Sequence, residues 1–248
     1  MTVHLVGAGP GDLELLTLRA ARLLAEADAV VFDRLVGPDI LGLAAPSAER
    51  YDVGKTPGSP GPSQEQINDL LCSLGQRLDT VVRLKGGDPF MFGRGIEEQR
   101  ACESVGVAVA VVPGISSSIA GPASAGVSIT ERGVSSGACI VTAHQDPGSD
   151  AIDWSALAQS GLTITVLMGA KRARLVADAL IAGGRSAKTP VAVITNATRP
   201  DEQQRFGTLD TLGIEPVPSP SVLVIGDVAT ERPPVLRRPA KKSPATTS

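Results

Sequence analysis

Residues Val81–Glu98 read VVRLKGGDPFMFGRGIEE, and the fold follows from how that stretch changes character along its length. VVRL is a short apolar run of the kind that closes a buried strand. Lys85-Gly86-Gly87-Asp88-Pro89 breaks it, the two glycines allowing a sharp turn and a close approach of backbone to a ligand. Phe90, Met91 and Phe92 then place two of the chain's four phenylalanines and one of its three methionines in consecutive positions. Gly93-Arg94-Gly95 leads into the acidic start of a helix, where Glu97-Glu98 is read as capping charge favoured by the helix dipole. A strand, a loop dressed for a flat or apolar ligand and a helix make one α/β unit.

The same unit recurs outward in both directions. Val3–Val6 is an apolar run ending in Gly7-Ala8-Gly9-Pro10-Gly11-Asp12, with helical spacing from Leu13 to Glu26. Ala29–Phe32 reads as a strand ending at Asp33, Asp39–Ala44 as a brief helix, and Arg50–Val53 as a strand ending at Gly54-Lys55. Gln64–Leu74 and Ile96–Val105 are expected helices, and Val107–Val112 a strand. Strands alternating with helices predict a mostly parallel sheet covered on both faces, with the ligand crevice beyond the carboxyl ends of the strands. The GAGPGD loop, Asp33, Lys55 and the GGDP loop all sit at such ends.

Pro113-Gly114 marks a break, and Ser116-Ser117-Ser118 opens a small-residue helix. A second cycle follows: strands at Ala138–Thr142, Thr163–Met168, Pro190–Thr195, Gln203–Phe206 and Ser221–Ile225, and helices at Trp154–Gln159 and Arg174–Ala182. The expected organisation is therefore an N-terminal α/β domain over 1–114, a C-terminal α/β domain over 115–230, and a disordered basic, Pro-rich tail over 231–248.

Composition narrows the function. The chain has 248 residues, a net charge of −3 and only 2% aromatic residues. An acidic body argues against a phosphate-backbone ligand, and the scarcity of aromatics leaves no base-stacking platform, so no nucleic acid is expected as partner. Five basic residues against one acid from Glu231 onward give the tail a net +4 and leave the body at −7. Cys72, Cys102 and Cys139 lie far apart and the only histidines are His4 and His144, so neither a metal site nor Cys/His catalysis is expected. Unpaired thiols, the lack of a secretory leader and the lack of a long apolar run predict a cytoplasmic protein with no membrane segment.

GAGPGD invites a dinucleotide-binding reading but fits it poorly, because Asp12 stands where a small residue must let helix and strand pack closely. Asp33 and Lys55 at neighbouring strand ends suit a base and an acid, a grip on a charged ligand, or a plain ion pair at the cleft rim. Asp153 and Trp154, at a helix start, are read as structural.

Residues 3–36, VHLVGAGPGDLELLTLRAARLLAEADAVVFDRLV, resemble the opening of uroporphyrinogen-III C-methyltransferases, and residues 81–98 resemble that family's second signature. VVPGISSSIAGPASAGVSIT, VLMGA and TPVAVITNATRP are similar to three further family blocks in the same order, so the resemblance covers Val3–Ala229. It implies the two-domain tetrapyrrole methylase (class III methyltransferase) fold, each domain a sheet with helices on both faces and the active site in the cleft between them. It further implies a homodimer that binds S-adenosyl-L-methionine, releases S-adenosyl-L-homocysteine, and methylates uroporphyrinogen III at C2 and C7 to give precorrin-2 for sirohaem and cobalamin synthesis. Carried over by position, the cofactor contacts are Pro10, Gly86, Gly87, Asp88, Met91, Ser116, Ser117, Met168 and Ala197, with Asp33 as proton acceptor and Lys55 as proton donor. The substrate that the resemblance implies carries eight carboxylates, and Arg83, Arg94 and Arg132 are expected to bind them together with Lys55. The chain departs from the family pattern at Glu131, where a histidine is usual, at Ala143 and Ala197, where glycine is usual, and in the histidine-free loop after Lys55. A methyltransferase of a later corrin precursor and a catalytically weakened tetrapyrrole binder are the competing expectations.

Overall fold

The computed structural model describes residues 1–54, 61–147 and 152–231. Lys55, the loop following it and the tail beyond Glu231 lie outside those residues.

The first sheet is built from β1 (Thr2–Gly7), β2 (Ala29–Phe32), β3 (Glu49–Asp52), β4 (Thr80–Lys85) and β5 (Ala108–Val112), all parallel, in the order β3-β2-β4-β1-β5. Period-two alternation divides its side chains between two apolar layers. Val6, Val30, Val82 and Leu84 face one layer with α1 (Leu18–Ala25) and α2 (Pro38–Leu41). Val3, Leu5, Val31 and Val81 face the other, under α3 (Gln64–Arg77) and α4 (Gly95–Ser104). The chain thus leaves β1 and β2 toward one face and β4, which lies between them, toward the opposite face. That reversal is a topological switch point, the place where a parallel sheet opens a crevice at its carboxyl edge.

The expected helix from Leu13 is divided in two. Asp12 accepts from the Glu14 amide and starts a 3-10 turn over Leu13–Leu15. Thr17 accepts from the Ala20 amide and starts α1 separately. Two capping side chains within six residues give two starts where the leucine spacing suggests one.

After α5 (Ser117–Ser124) comes the second sheet: β6 (Ala138–Thr142), β7 (Thr163–Leu167), β8 (Pro190–Thr195), β9 (Gln203–Thr208) and β10 (Ser221–Ile225), in the order β6-β7-β10-β8-β9. It is mixed. β6 and β7 are parallel, while β10 inserts at the centre antiparallel to both β7 and β8, every one of its residues buried. α6 (Trp154–Gln159) and α7 (Ala173–Ala182) cover one face through Trp154, Ala158, Val176 and Leu180. On the other face, α5 lays Gly121 against Val222 and Ala197, where an added Cβ would meet the side chains at 3.3 and 3.4 Å. Among the described residues no helix is long and apolar enough to cross a membrane.

Candidate active site

The loops after β1 and β4 meet at the switch point. Gly9 and Gly87 form an antiparallel bridge, the Gly87 amide donating to the Gly9 carbonyl at 2.8 Å and the Gly9 amide to the Gly87 carbonyl at 3.2 Å. Gly87 takes a left-handed φ of +69°, which glycine alone adopts freely. The Asp88 carboxylate fastens the loop from within, accepting from the Phe90 amide at 2.8 Å and from the Gly114 amide at 3.0 Å, at the end of β5. Its first task is therefore to shape the loop. Ser116 caps α5, and its hydroxyl lies 2.8 Å from that of Ser118.

These loops form one wall of a cavity of about 600 Å³ whose opposite wall comes from the second sheet. Asp33 and all nine expected cofactor contacts, from Pro10 to Ala197, line it. Three of the non-glycine residues held at positive φ, Phe92 (55°), Met168 (56°) and Asn196 (51°), line it as well. Backbone strain of this kind collects where a ligand, not packing, has set the geometry. The volume falls in the range of small-molecule sites. Exposed Met91, Phe92 and Met168 supply adaptable apolar walls beside backbone polar groups and serine hydroxyls. That mixture fits an S-adenosylmethionine-sized ligand.

Behind Asp33 lies a buried charge network. β4 points Arg83 and Lys85 into the layer beneath α4, where they are 2% and 3% exposed. The Glu98 carboxylate descends from α4 and accepts from Arg83 Nε at 3.0 Å and from Lys85 Nζ at 2.8 and 2.9 Å. The far end of Arg83 donates to Asp33 Oδ1 at 2.7 Å. Burial, and after it the neighbouring Arg83, push the Lys85 ammonium below the ordinary lysine value, with Glu98 and Asp33 pulling the other way. Two expectations are corrected here. Arg83 is no surface grip for substrate carboxylates, because its guanidinium is buried and already committed. Glu98, in the first turn of α4, is no capping charge but a fully buried ion-pair partner.

Arg94 and Arg132 are not brought into the cavity either. Arg94 is exposed and paired with Glu97, and Arg132 lies outside the lining. Glu131, whose backbone pairs with Ser135 in a tight bridge, is likewise not among the lining residues. The cations that do line the cavity are Lys171, Arg172 and Arg199, with His144 beside them. Reading the sequence for motifs missed these three, although Lys171-Arg172 directly follows the VLMGA block and Arg199 follows the Asn196-Ala197-Thr198 turn. Arg172 is ion-paired with Asp146. Arg199 reaches across the cleft to donate to the Leu35 carbonyl at 2.6 Å, and Thr198 Oγ1 accepts from the Asp12 amide at 3.2 Å.

Residues 2–213 match the family model described as Tetrapyrrole (Corrin/Porphyrin) Methylases. Siroheme synthase 1 of Cronobacter sakazakii is 45% identical over 228 residues, which make up 91% of this chain and 48% of that protein. Siroheme synthase 1 of Pectobacterium atrosepticum is 46% identical over the same shares. The chain thus spans about half the length of the curated relatives it matches. Uroporphyrin-III C-methyl transferase from Thermus thermophilus, crystallised with S-adenyl homocysteine, matches with a TM-score of 0.81 and 39% identity, covering 92% of this chain and 98% of that one. A cobalt precorrin-4 methyltransferase matches with the same TM-score at 27% identity, over 92% and 96% of the two chains.

Proposed function

This chain belongs to the tetrapyrrole (corrin/porphyrin) methylase family, and on that premise we propose that it is an S-adenosyl-L-methionine-dependent uroporphyrinogen-III C-methyltransferase. It methylates C2 and then C7, giving precorrin-2 for sirohaem or cobalamin synthesis. The observation that carries this reading is the likeness to the Thermus enzyme over nearly the whole of both chains, at 39% identity. It exceeds the 27% identity to the enzyme of a later corrin precursor.

S-adenosylmethionine supplies a methyl group already activated by its sulfonium, and the pyrrole carbons of the reduced macrocycle are electron-rich. The work left to the chain is alignment and proton management. The Gly86-Gly87 backbone, Pro10, Ser116, Ser117, Met91, Met168 and Ala197 hold the methyl donor in the cavity that they line. Asp33, at the end of β2, accepts the proton released as the methylated ring rearranges. Lys55 as proton donor is part of the same proposal and rests on the family resemblance. Lys171 and Arg199 give the cleft positive charge for the substrate's carboxylates. A homodimer belongs to the reading too and rests on the family resemblance.

Incubation of the purified protein with uroporphyrinogen III and methyl-labelled cofactor tests the proposal. Two label equivalents in a precursor-sized product support it. Cofactor binding without methyl incorporation replaces it with the binder reading, and label in a later corrin precursor alone replaces the substrate. Light scattering at the mass of one chain would remove the dimer.

A further inference from the structure

Glu98 has no exposed surface and touches nothing in the cleft, yet both of its carboxylate oxygens are engaged by cations rising from β4. Stability alone does not account for it. Taking two cations and a carboxylate out of water is costly, and apolar side chains of like volume would fill the layer beneath α4 at least as well. We propose that Glu98 is a positioning residue for proton transfer: it locks the Arg83 guanidinium, and Arg83 in turn presents Asp33 to the cleft. This rests on Asp33 being the proton acceptor.

The geometry is that of a plate fixed at every corner. Arg83 Nε donates to Glu98 at 3.0 Å, one terminal nitrogen donates to Asp33 Oδ1 at 2.7 Å, and the other reaches the carbonyls of Val31 and Leu84 at 3.5 and 3.4 Å. A guanidinium so held cannot swing, so Asp33 Oδ1 has one fixed direction. Glu98 is itself held by Lys85 and, from α3, by the Gln64 amide at 3.4 Å.

Charge leads to the same conclusion. Arg83, Lys85 and Glu98 together carry one net positive charge, which Asp33 balances. Without Glu98, Lys85 would lose the partner that opposes the effect of its burial, and Arg83 would lose the anchor at its Nε. Among the described residues, the other titratable groups around Glu98 place no further charge in the buried layer. Burial foremost, with Cys72 on α3 after it, pushes the Cys102 thiol up to about 12 and keeps it neutral. Arg94 and Glu97 neutralise each other on the solvent side of α4.

Glu98→Gln keeps the shape and removes the charge. We expect kcat to fall about tenfold or more while the KM for S-adenosylmethionine stays within about twofold, the signature of an interaction made only during reaction. The double variant Glu98→Gln/Lys85→Met also removes the cation left without its partner but does not restore the anchor, so its kcat should stay low. A single or a double variant with wild-type kcat overturns the proposal. If Glu98→Gln does not fold, the double variant alone decides through its kcat. Wild-type enzyme assayed alongside keeps the two readings apart. Should it not methylate uroporphyrinogen III, the substrate reading has failed, and exchange of the Arg83 Nε proton followed by NMR still tests the anchor. Slow exchange in the wild type and fast exchange in Glu98→Gln support it, and equal rates overturn it.

Discussion

Asp33 receives one charged hydrogen bond, from Arg83 at 2.7 Å, and its side chain remains 32% exposed toward the cleft. Among the described residues, one carboxylate oxygen is held by Arg83 and the other has no hydrogen-bond partner. Asp33→Asn retains an oxygen to accept from Arg83 and loses the basicity. It should therefore lower kcat by about 10²- to 10⁴-fold, the range expected for a positioned general base, with S-adenosylmethionine affinity measured by calorimetry unchanged. Turnover surviving at the wild-type rate would remove Asp33 from the chemistry. That Asp33 would reach the crevice was legible in the chain, since it closes an apolar strand run at the carboxyl edge of the sheet, and it does line the cavity. Glu98 was not read correctly, because a glutamate in the first turn of a helix satisfies the dipole argument without any burial. The contrary signal was present: Gly95, Glu98 and Cys102 share one stripe of α4, and all three are buried. An acid on the apolar stripe of a helix, above a strand that carries Arg83 and Lys85 two residues apart, is the pattern of a buried ion cluster.

At the scale of elements, the ends of β1, β4 and β5 cross with no room for side chains. A Cβ on Gly7 would lie 2.5 Å from the Gly114 Cα and 2.6 Å from the Gly87 carbonyl oxygen, both of them backbone. Gly7→Ala cannot be relieved by a rotamer change and should cost about 3 kcal/mol or more in urea unfolding; a variant within about 0.5 kcal/mol of wild type would show that the crossing yields. The outer edge of the same sheet is tied down electrostatically. Glu49 on β3 accepts two hydrogen bonds from Arg77 at the end of α3, at 2.9 and 2.8 Å, and one from Tyr51 at 2.5 Å. Arg77 first and Tyr51 second hold its carboxyl at about 2, below the ordinary 4.5. A carboxyl depressed in the folded state contributes stability above its unfolded value, and that contribution is lost as pH falls from about 4.5 through about 2. Glu49→Gln should therefore show a shallower loss of urea midpoint across that window, with the difference shrinking in high salt. Identical slopes would mean that the pair holds nothing.

For the whole molecule, the elements of both sheets were legible one by one, but the order in the second sheet was not. Pro190–Thr195, Gln203–Phe206 and Ser221–Ile225 read as successive strands with no signal of their order across the sheet. Only the unbroken burial of Ser221–Ile225 places β10 at the centre, and burial is a property of the assembled sheet. The cleft's second wall was partly hidden for the same reason: Lys171, Arg172 and Arg199 carry no motif of their own and become neighbours of Asp33 only when the two halves face each other. What holds the halves at that spacing includes a clasp from the β8–β9 connection. Asn196 and Thr198 take left-handed conformations, at φ 51° and 66°, and so turn Arg199 across the cleft. Its guanidinium donates to the Leu35 carbonyl at 2.6 Å, its stem passes over Gly11, where an added Cβ would strike it at 2.7 Å, and Thr198 accepts from the Asp12 amide. Interfaces between domains of one chain commonly allow relative motion, which a side chain bridging them limits. Arg199→Ala should then leave the urea midpoint near wild type, since neither core is touched, and weaken S-adenosylmethionine binding about tenfold as the two walls lose their fixed separation. Arg199→Lys, which keeps the charge but not the fork, should recover only part of that loss. Calorimetric titration of the three proteins with the cofactor decides it. Equal affinities would mean that the walls are held by the remaining contacts and that Arg199 serves the substrate alone.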